Sequence, residues 1–307
     1  MCTKRIISVF CLAFLFLALG FSSSMAVEKI YVNYGPYTVD GQSPYAGTVV
    51  SWQQIYDHLT ILAPFTHWVR IFTCRNGLEN VGPIAHSFGI GVAAGCWLSG
   101  NIIENATELQ ALIDVCQRGD ADIAIIGSET LYRNDLTAIQ LLGYINQFKS
   151  AVPGFPVAVA DTYGALSANP DVVSAGDVVM ANSYPYWEGI DIVNAVSYLR
   201  KSYLDLKEQF PDSLIVIGET GWPSEGRSIG LAVPSPAHAA WYFWGVESWS
   251  KAEDVIVFYF EAFDEPWKAD YEGSQGSHWG LFDQYGVLKP YMKLGFSKFV
   301  LPAQYWE

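Results

Sequence analysis

The sequence predicts an α/β protein whose single domain is a (β/α)8 barrel. Eight short runs rich in Val, Ile and Ala have the pattern of buried strands, and they recur about every 20 to 40 residues. Each spacing leaves room for one right-handed crossover, and eight parallel strands close a barrel. The predicted strands are residues 30–37, 68–74, 90–98, 123–126, 156–162, 177–182, 214–217 and 255–260.

Helical segments lie between most of these strands. Their predicted ranges are 52–62, 78–88, 106–118, 136–150, 190–209 and 236–252, while the fifth connection, 169–175, is short. The rival architecture is an open doubly wound sheet, which typically carries a glycine-rich phosphate loop after an early strand. The loop after the first strand reads GPYTVDGQ and has no GxGxxG motif, and no linker or low-complexity segment divides the chain. A single barrel is therefore the better prediction.

Composition limits the kinds of partner. Charged residues make up 16% of the chain and the formal net charge is −14, so we expect no interaction with nucleic acid or an anionic membrane surface. The 11 Trp and 18 Tyr residues exceed what a core requires. Their ring faces suit flat polar ligands such as sugars. We expect the protein to be a monomer.

The N-terminus has the pattern of a secretory signal peptide. Lys4 and Arg5 precede an apolar run over residues 6–19, and the small residues around Ala26 form a cleavage site. The alternative is an uncleaved membrane anchor, but the serines at 22–24 interrupt the run before the ~20 residues that span a bilayer. We predict a signal peptide at 1–26, a mature barrel at 27–307 without membrane insertion, and secretion.

The cysteines do not form a disulfide framework. Cys2 and Cys11 leave with the predicted signal peptide, and Cys74, Cys96 and Cys116 remain in apolar settings. Three cysteines cannot all pair, and their spacing does not match that of metal ligands. We predict three buried free thiols.

Two strands end in the same way, with a small turn and then a carboxylate. The segment LIVIGETGWPS at 214–224 places Glu219 where an apolar strand ends, and IAIIGSE at 123–129 does the same for Glu129. Active sites of parallel barrels lie at this edge. Two carboxyl groups about 5 to 5.5 Å apart act as nucleophile and acid/base in retaining glycosidases. The alternative is a strand-terminal Glu that pairs with an Arg or Lys.

At these motifs the sequence resembles glycoside hydrolase family 17, a family of retaining (β/α)8 β-1,3-glucanases. GETGWPS at 218–224 resembles the segment around that family's nucleophile, and IIGSETLYR at 125–133 resembles the segment with its acid/base. The motifs VNYGPY, NSYPYW, FEAFDEPWK and HWGLF follow in the family's order, so the resemblance covers residues 30–289 or so. It implies that Glu219 is the nucleophile and Glu129 the general acid/base.

The resemblance also implies a cleft that binds sugars. Tyr34, Asn182 and Tyr184 fall where the family lines its cleft, and Glu265 with Lys268 matches a polar group near the nucleophile. Tyr184 and Lys268 are expected to help keep Glu219 ionised. The predicted substrate-binding residues are Tyr34, Ser128, Asn182, Tyr184, Tyr186, Trp187, Trp222, Glu265 and Lys268.

Two positions depart from the family pattern. Ser128 stands where many relatives have Asn, which is expected to bind the sugar 2-hydroxyl; serine can still donate but is shorter. The Glu that plant members carry before the last motif is absent, with Glu272 as a nearby candidate, and the role of Glu261 is open. A metal site is the rival explanation for the carboxylates near the eighth strand, but HExxH is absent. We expect no metal and no cofactor.

These observations predict a retaining glycoside hydrolase that cleaves β-1,3-glucosidic bonds in glucans such as laminarin. The first alternative is a β-1,3-glucan transglycosylase, in which a sugar hydroxyl replaces water. The second is a non-catalytic glucan-binding barrel, which would not need paired carboxylates. Endo or exo action and the preferred chain length stay open.

Overall fold

The computed structural model describes residues 30–292. The predicted signal peptide at 1–26 and both ends of the predicted mature range, 27–29 and 293–307, lie outside the described residues. Among the helices of residues 30–292, none is long and apolar enough to cross a membrane.

Eight parallel strands of the described chain close into a barrel in sequence order, which confirms the predicted fold. Their bounds are β1 Ile30–Asn33, β2 Thr66–Ile71, β3 Gly91–Cys96, β4 Ile123–Ile126, β5 Val157–Thr162, β6 Val178–Asn182, β7 Ile215–Thr220 and β8 Val257–Tyr259. Pairing between β1 and β8, with Tyr31 opposite Phe258, completes the barrel. The open doubly wound sheet is thereby excluded.

Helices follow the strands around the outside of the barrel. They are α1 Trp52–Leu62, α2 Val81–Ser87, α3 Ile102–Gln117, α4 Ala138–Ala151, α5 Tyr163–Ala168, α6 Pro170–Ala175, α7 Ile192–Gln209, α8 Pro236–Glu253 and α9 Ala269–Glu272, with 3₁₀ turns at Leu78–Asn80, Pro266–Lys268 and Gly276–His278. Side-chain caps fix several starts: Thr137 and Gln140 form a capping box before α4. Asn101 caps α3, which therefore begins four residues before the predicted position 106.

The strands are buried on both faces, which explains their continuous apolar sequences. Along β4 to β6, alternate residues such as Ile125, Ala158 and Met180 fill the barrel interior. The residues between them, such as Ala124 and Val159, pack in the outer layer under the helices. This alternation is the two-residue period of a β-strand.

A β-bulge in β7 interrupts this alternation. Ala181 of β6 pairs with Ile217, but the next residue, Asn182, pairs with Glu219, so Gly218 is the extra residue. Ile217 belongs to the outer layer, and a regular strand would point Glu219 the same way. The bulge instead brings Glu219 into register with Asn182. A Cβ at Gly218 would lie 2.8 Å from both the Asn182 Oδ1 and the Met180 Cβ, so only glycine fits there.

Some predicted boundaries are wrong. β1 ends at Asn33, not at residue 37, and β7 starts after Leu214, which is 41% exposed, and continues through Glu219 to Thr220. The fifth connection contains two short helices.

Within residues 30–292 the cysteines are Cys74, Cys96 and Cys116, and all three are buried and free, as predicted.

Candidate active site

The carboxyl ends of β4 to β8 surround a cleft with a volume of about 1110 Å³. Glu129 and Glu219 both line it, so the structure brings the two predicted carboxylates together. The other lining residues are Tyr132, Arg133, Thr162, Tyr163, Gly164, Ala165, Asn182, Ser183, Tyr184, Trp187, Glu188, Tyr198, Arg227, Phe260, Tyr271, Glu272 and Trp279. This volume exceeds the space that a single small ligand occupies.

Glu219 is surrounded by donors. Its Oε1 lies 2.9 Å from the Nη2 of Arg70 and 3.4 Å from the Ser128 hydroxyl, while its Oε2 accepts a hydrogen bond from the Tyr184 hydroxyl at 2.9 Å. Charge-assisted bonds of this kind stabilise the ionised form of a carboxylate. The arrangement therefore holds an anion with both oxygens oriented.

Arg70 was not singled out from the sequence, although it is a charge within the apolar run HWVRIF of β2. Its side chain is 1% exposed. Nη1 donates to the Gly218 carbonyl at 2.7 Å, Nη2 donates to the Ser128 hydroxyl at 2.9 Å, and the guanidinium lies 4.9 Å above the Phe72 ring. These contacts fix the cation beside Glu219, since a buried charge must be paired or hydrogen-bonded.

Glu129 sits on a turn with an unusual backbone. Its φ of 55° and the φ of 73° at Gly127 are both in the left-handed region, which ordinary residues rarely adopt. The Glu129 amide donates to the Ala160 carbonyl at 3.0 Å, and Asp161 accepts from the Leu131 amide at 2.9 Å. Arg133 donates to the Ser128 carbonyl at 2.6 Å. The neighbouring loops thus hold the turn that aims Glu129 into the cleft.

The side chain of Glu129 has a different electrostatic setting. Its Oε1 accepts a hydrogen bond from the neutral Asn182 amide at 3.0 Å. Burial, and then the negative charge of Glu219, raise the pKa of Glu129 to about 7, although the Asn182 hydrogen bond acts in the opposite direction. The site therefore pairs one carboxylate stabilised as an anion with one that holds a proton near neutral pH.

Aromatic side chains form one wall of the cleft. The ring of Tyr184 packs edge-on against Phe260 and Trp279, with centroid distances of 5.7 and 5.5 Å. Trp187 lies 5.7 Å from Trp279 and is 37% exposed. These rings present apolar faces next to the two carboxylates, which is the chemistry that suits a sugar ring.

Three aromatic residues predicted to bind substrate lie behind the cleft instead. Tyr34, Tyr186 and Trp222 are almost completely buried. The Tyr34 hydroxyl is 3.1 Å from the Nδ1 of His58, the Tyr186 hydroxyl donates to the Arg227 carbonyl at 2.5 Å, and the Trp222 indole donates to the Val233 carbonyl at 3.3 Å. The polar ends of all three side chains are therefore bonded to protein in this structure, and their rings support the cleft from behind.

Glu265 and Lys268 also lie beneath the cleft. Lys268 is buried and pairs with Glu261 and, at 2.8 Å, with Glu265, whose other oxygen accepts from the Tyr37 amide at 2.9 Å. Lys268 therefore pairs with carboxylates of its own loop, and the cation that contacts Glu219 is Arg70. Burial raises the pKa of Glu261 well above its ordinary value.

Glu272, a candidate from sequence, does line the cleft. It accepts a hydrogen bond from the Trp279 indole at 2.8 Å, and burial raises its pKa. Within residues 30–292, no three His, Cys, Asp or Glu side chains are grouped as a metal site requires.

The comparisons with known proteins agree on one family. Residues 31–280 match the family model of the BtgE/BtgC glycoside hydrolase domain. A glucan 1,3-beta-glucosidase of Saccharomyces cerevisiae is 31% identical over 91% of this chain and 96% of its own length. The glucan 1,3-beta-glucosidase BGL2 of Candida albicans is 32% identical over 70% of this chain and 77% of its own.

Solved structures give the same result. The glycoside hydrolase family 17 β-1,3-glucanosyltransferase from Rhizomucor miehei superposes with a TM-score of 0.77 at 29% identity, covering 86% of this chain and 96% of that one. An active-site mutant of the same enzyme, solved in complex with laminaritriose, gives 0.76. An endo-laminarinase from Formosa, at 18% identity and a TM-score of 0.71, shares the fold.

Proposed function

Because this chain belongs to the BtgE/BtgC glycoside hydrolase family, we propose that it cleaves β-1,3-glucosidic bonds of glucans with retention of configuration, as a member of glycoside hydrolase family 17. The observation that carries the proposal is the unequal setting of two carboxylates in one cleft. Glu219 is bonded to Arg70 and Tyr184, whereas Glu129 has a pKa raised to about 7. That difference separates a nucleophile from an acid.

In the first step the Glu219 carboxylate attacks the anomeric carbon while protonated Glu129 gives its proton to the departing glycosidic oxygen. One C–O bond breaks and a covalent glycosyl-enzyme forms. Departure of the neutral sugar leaves Glu129 ionised. In the second step Glu129 takes a proton from the incoming hydroxyl, whose oxygen displaces Glu219 and restores the β configuration.

The residues around the pair support these roles. Ser128 holds both Arg70 and Glu219 through its hydroxyl, so it orients the nucleophile in addition to any contact with the sugar 2-hydroxyl. Asn182 orients Glu129, and Trp187 offers a half-exposed ring to a sugar. A β-1,3-glucan is the substrate class because the relatives named above act on that linkage.

The incoming hydroxyl distinguishes two activities. Water gives hydrolysis, and a sugar hydroxyl gives transglycosylation, the activity named for the R. miehei enzyme. The observation that favours transfer as the second candidate is the exposed ring of Trp187 in the cleft, which offers a stacking surface for a second sugar.

Product analysis tests the proposal. Purified protein is incubated with laminari-oligosaccharides and, as the matched control, with cello-oligosaccharides, and products are separated by chromatography. We expect shorter β-1,3 products from hydrolysis, longer ones if transfer operates, and β-anomers at the earliest times by NMR. Comparable turnover of the cello-oligosaccharides, or α-anomers at early times, would contradict the proposal.

The proposal includes secretion after removal of residues 1–26, which rests on the sequence of that segment. N-terminal sequencing of the protein recovered from the medium of expressing cells checks it. The expected first residue is Val27, and recovery only from cells with Met1 retained would contradict it.

A further inference from the structure

Two exposed tyrosines, one from the loop after β1 and one from α9 after β8, meet at the edge of the cleft. Tyr271 of α9 lines the cleft beside Glu272. Tyr45 comes from the loop between β1 and α1, and its ring lies 4.4 Å from that of Tyr271 with a 34° tilt between the planes. The pair thus extends the aromatic surface of the cleft from Tyr271 onto a loop that supplies none of the lining residues.

Both rings are held in place and yet stay open to solvent. Tyr45 lies in a tight turn in which the Gly47 amide donates to the Pro44 carbonyl at 3.1 Å, and its own amide donates to the Ser43 hydroxyl at 3.1 Å. Trp267 supports the pair from below, with its ring edge-on to Tyr45 at 5.6 Å and to Tyr271 at 5.8 Å. Even so, Tyr45 is 61% exposed and Tyr271 is 60% exposed.

Packing alone does not explain two aromatic rings that are held in place and yet exposed to solvent. An aromatic side chain gains stability by burying area, and these two leave most of theirs in water. Their surroundings are also polar. Tyr271 lines the cleft together with the charged side chains of Arg133 and Glu272. Apolar ring faces bordered by charged donors and acceptors form a surface that binds a pyranose ring and its hydroxyls.

We propose that Tyr45 and Tyr271 form a distal subsite that stacks on a glucose unit of the β-1,3-glucan chain, beyond the units that contact Glu129 and Glu219. This subsite rests on the proposed function, because it is the place where a longer glucan substrate would bind. It follows that long chains bind better than short ones, since only they reach the pair. The competing role is structural, with the two rings fastening the β1 loop to α9.

The test compares substrate lengths in single variants. Tyr45→Ala and Tyr271→Ala are assayed on laminaritriose and on laminariheptaose, with thermal unfolding measured for each. The matched control is Tyr285→Ala, which removes a tyrosine that is 79% exposed and does not line the cleft. We expect kcat/KM on the heptaose to fall about tenfold with either variant and to change less than about twofold on the triose, since a ring contact is worth up to about 1.5 kcal/mol. Tyr45→Phe keeps the ring and should restore the preference for the long chain.

Other outcomes overturn the subsite. Equal losses on both substrates together with a lower unfolding temperature would assign the pair the structural role, and so would a long-chain preference that survives in both Ala variants. A failure of the proposed function looks different: the wild-type protein itself would then leave laminariheptaose uncleaved.

Discussion

The ends of β4 and β7 have similar sequences but give their carboxylates opposite surroundings. Both strands end in an apolar run, a glycine and then a Glu within two residues. At β7, Glu219 is bonded to a buried cation and a phenol. At β4, Glu129 is bonded to a neutral amide, and burial with the nearby Glu219 raises its pKa to about 7.

The difference comes from other strands. Arg70 of β2 reaches across the barrel interior to Glu219, while Asn182 at the end of β6 reaches Glu129. A carboxylate motif at a strand end therefore specifies that a titratable group is present, and side chains far away in sequence specify its charge. This difference between the two carboxylates can be tested by removing either one or by changing the side chains that surround them.

The largest effect is expected from Glu219→Ala. Without the attacking oxygen no glycosyl-enzyme forms, so activity should fall about a thousandfold or more on glucan and on aryl β-glucosides alike. Initial rates on both substrates measure it. Full glucanase activity in this variant would place the catalytic pair elsewhere.

Glu129→Ala should separate the two substrates. Glucan needs a protonated leaving oxygen, so its cleavage should fail, whereas an aryl glucoside with a good leaving group can still form the intermediate. Azide then attacks the anomeric carbon, displaces Glu219 and gives the β-glucosyl azide, which NMR identifies. An α-azide from Glu219→Ala, with no azide product from Glu129→Ala, would show that the two roles are exchanged.

Arg70→Met should weaken both the activity and the fold. It leaves Glu219 buried without its cation, and removing one partner of a buried pair costs about 3 kcal/mol or more of unfolding free energy. Urea denaturation at neutral pH measures this, and we expect kcat to fall about a hundredfold. The control is Arg118→Met, which breaks the exposed pair with Asp120 and should change stability by less than about 1 kcal/mol. Equal effects of the two variants would contradict the assigned role of Arg70.

Much of this fold could be predicted from sequence, because strands that are buried on both faces have continuous apolar sequences. The carboxylates at 129 and 219 could also be predicted as functional groups. Burying a charged side chain directly after an apolar strand costs free energy unless that charge has a partner or a function. The bulge at Gly218 could not be predicted in the same way. Simple alternation assigns Glu219 to the face of Ile217, and only the pairing of Asn182 with Glu219 reverses it.

The partners of the charged groups were harder to predict. The family resemblance placed Glu265 and Lys268 near the nucleophile, but in the fold Lys268 pairs with Glu261 and Glu265. Arg70 is distant in sequence and meets Glu219 only because the barrel closes. The burial of Tyr34 and Trp222 likewise depends on tertiary contacts, since an aromatic residue near a strand end suits a cleft or a core equally well.

Tyr184→Phe should have a moderate effect on kcat, because it changes one contact of Glu219 and leaves Glu129 alone. It removes the hydroxyl that donates to Glu219 and keeps the ring between Phe260 and Trp279. A hydrogen bond to a charged group contributes about 1.5 to 3 kcal/mol, so kcat should fall about ten- to a hundredfold with little change in KM. Tyr186→Phe, whose hydroxyl bonds the Arg227 carbonyl behind the cleft, should reduce kcat less than about threefold. Steady-state kinetics on one laminari-oligosaccharide would refute this ranking if Tyr186→Phe were the more damaging change.

The smallest effect concerns the alkaline limb of the pH profile. Glu129 must be protonated to act as an acid, and its pKa of about 7 means that kcat/KM should decline above that pH. The Asn182 amide favours the ionised form of Glu129 and so lowers its pKa. Asn182→Ala should therefore move the limb to higher pH, by up to about one unit, while Asn182→Asp adds a second negative charge and should move it further. A limb that stays in place or moves to lower pH in both variants would show that another group supplies the proton. Glu272, a half-buried carboxyl that also lines the cleft, would be the next residue to substitute.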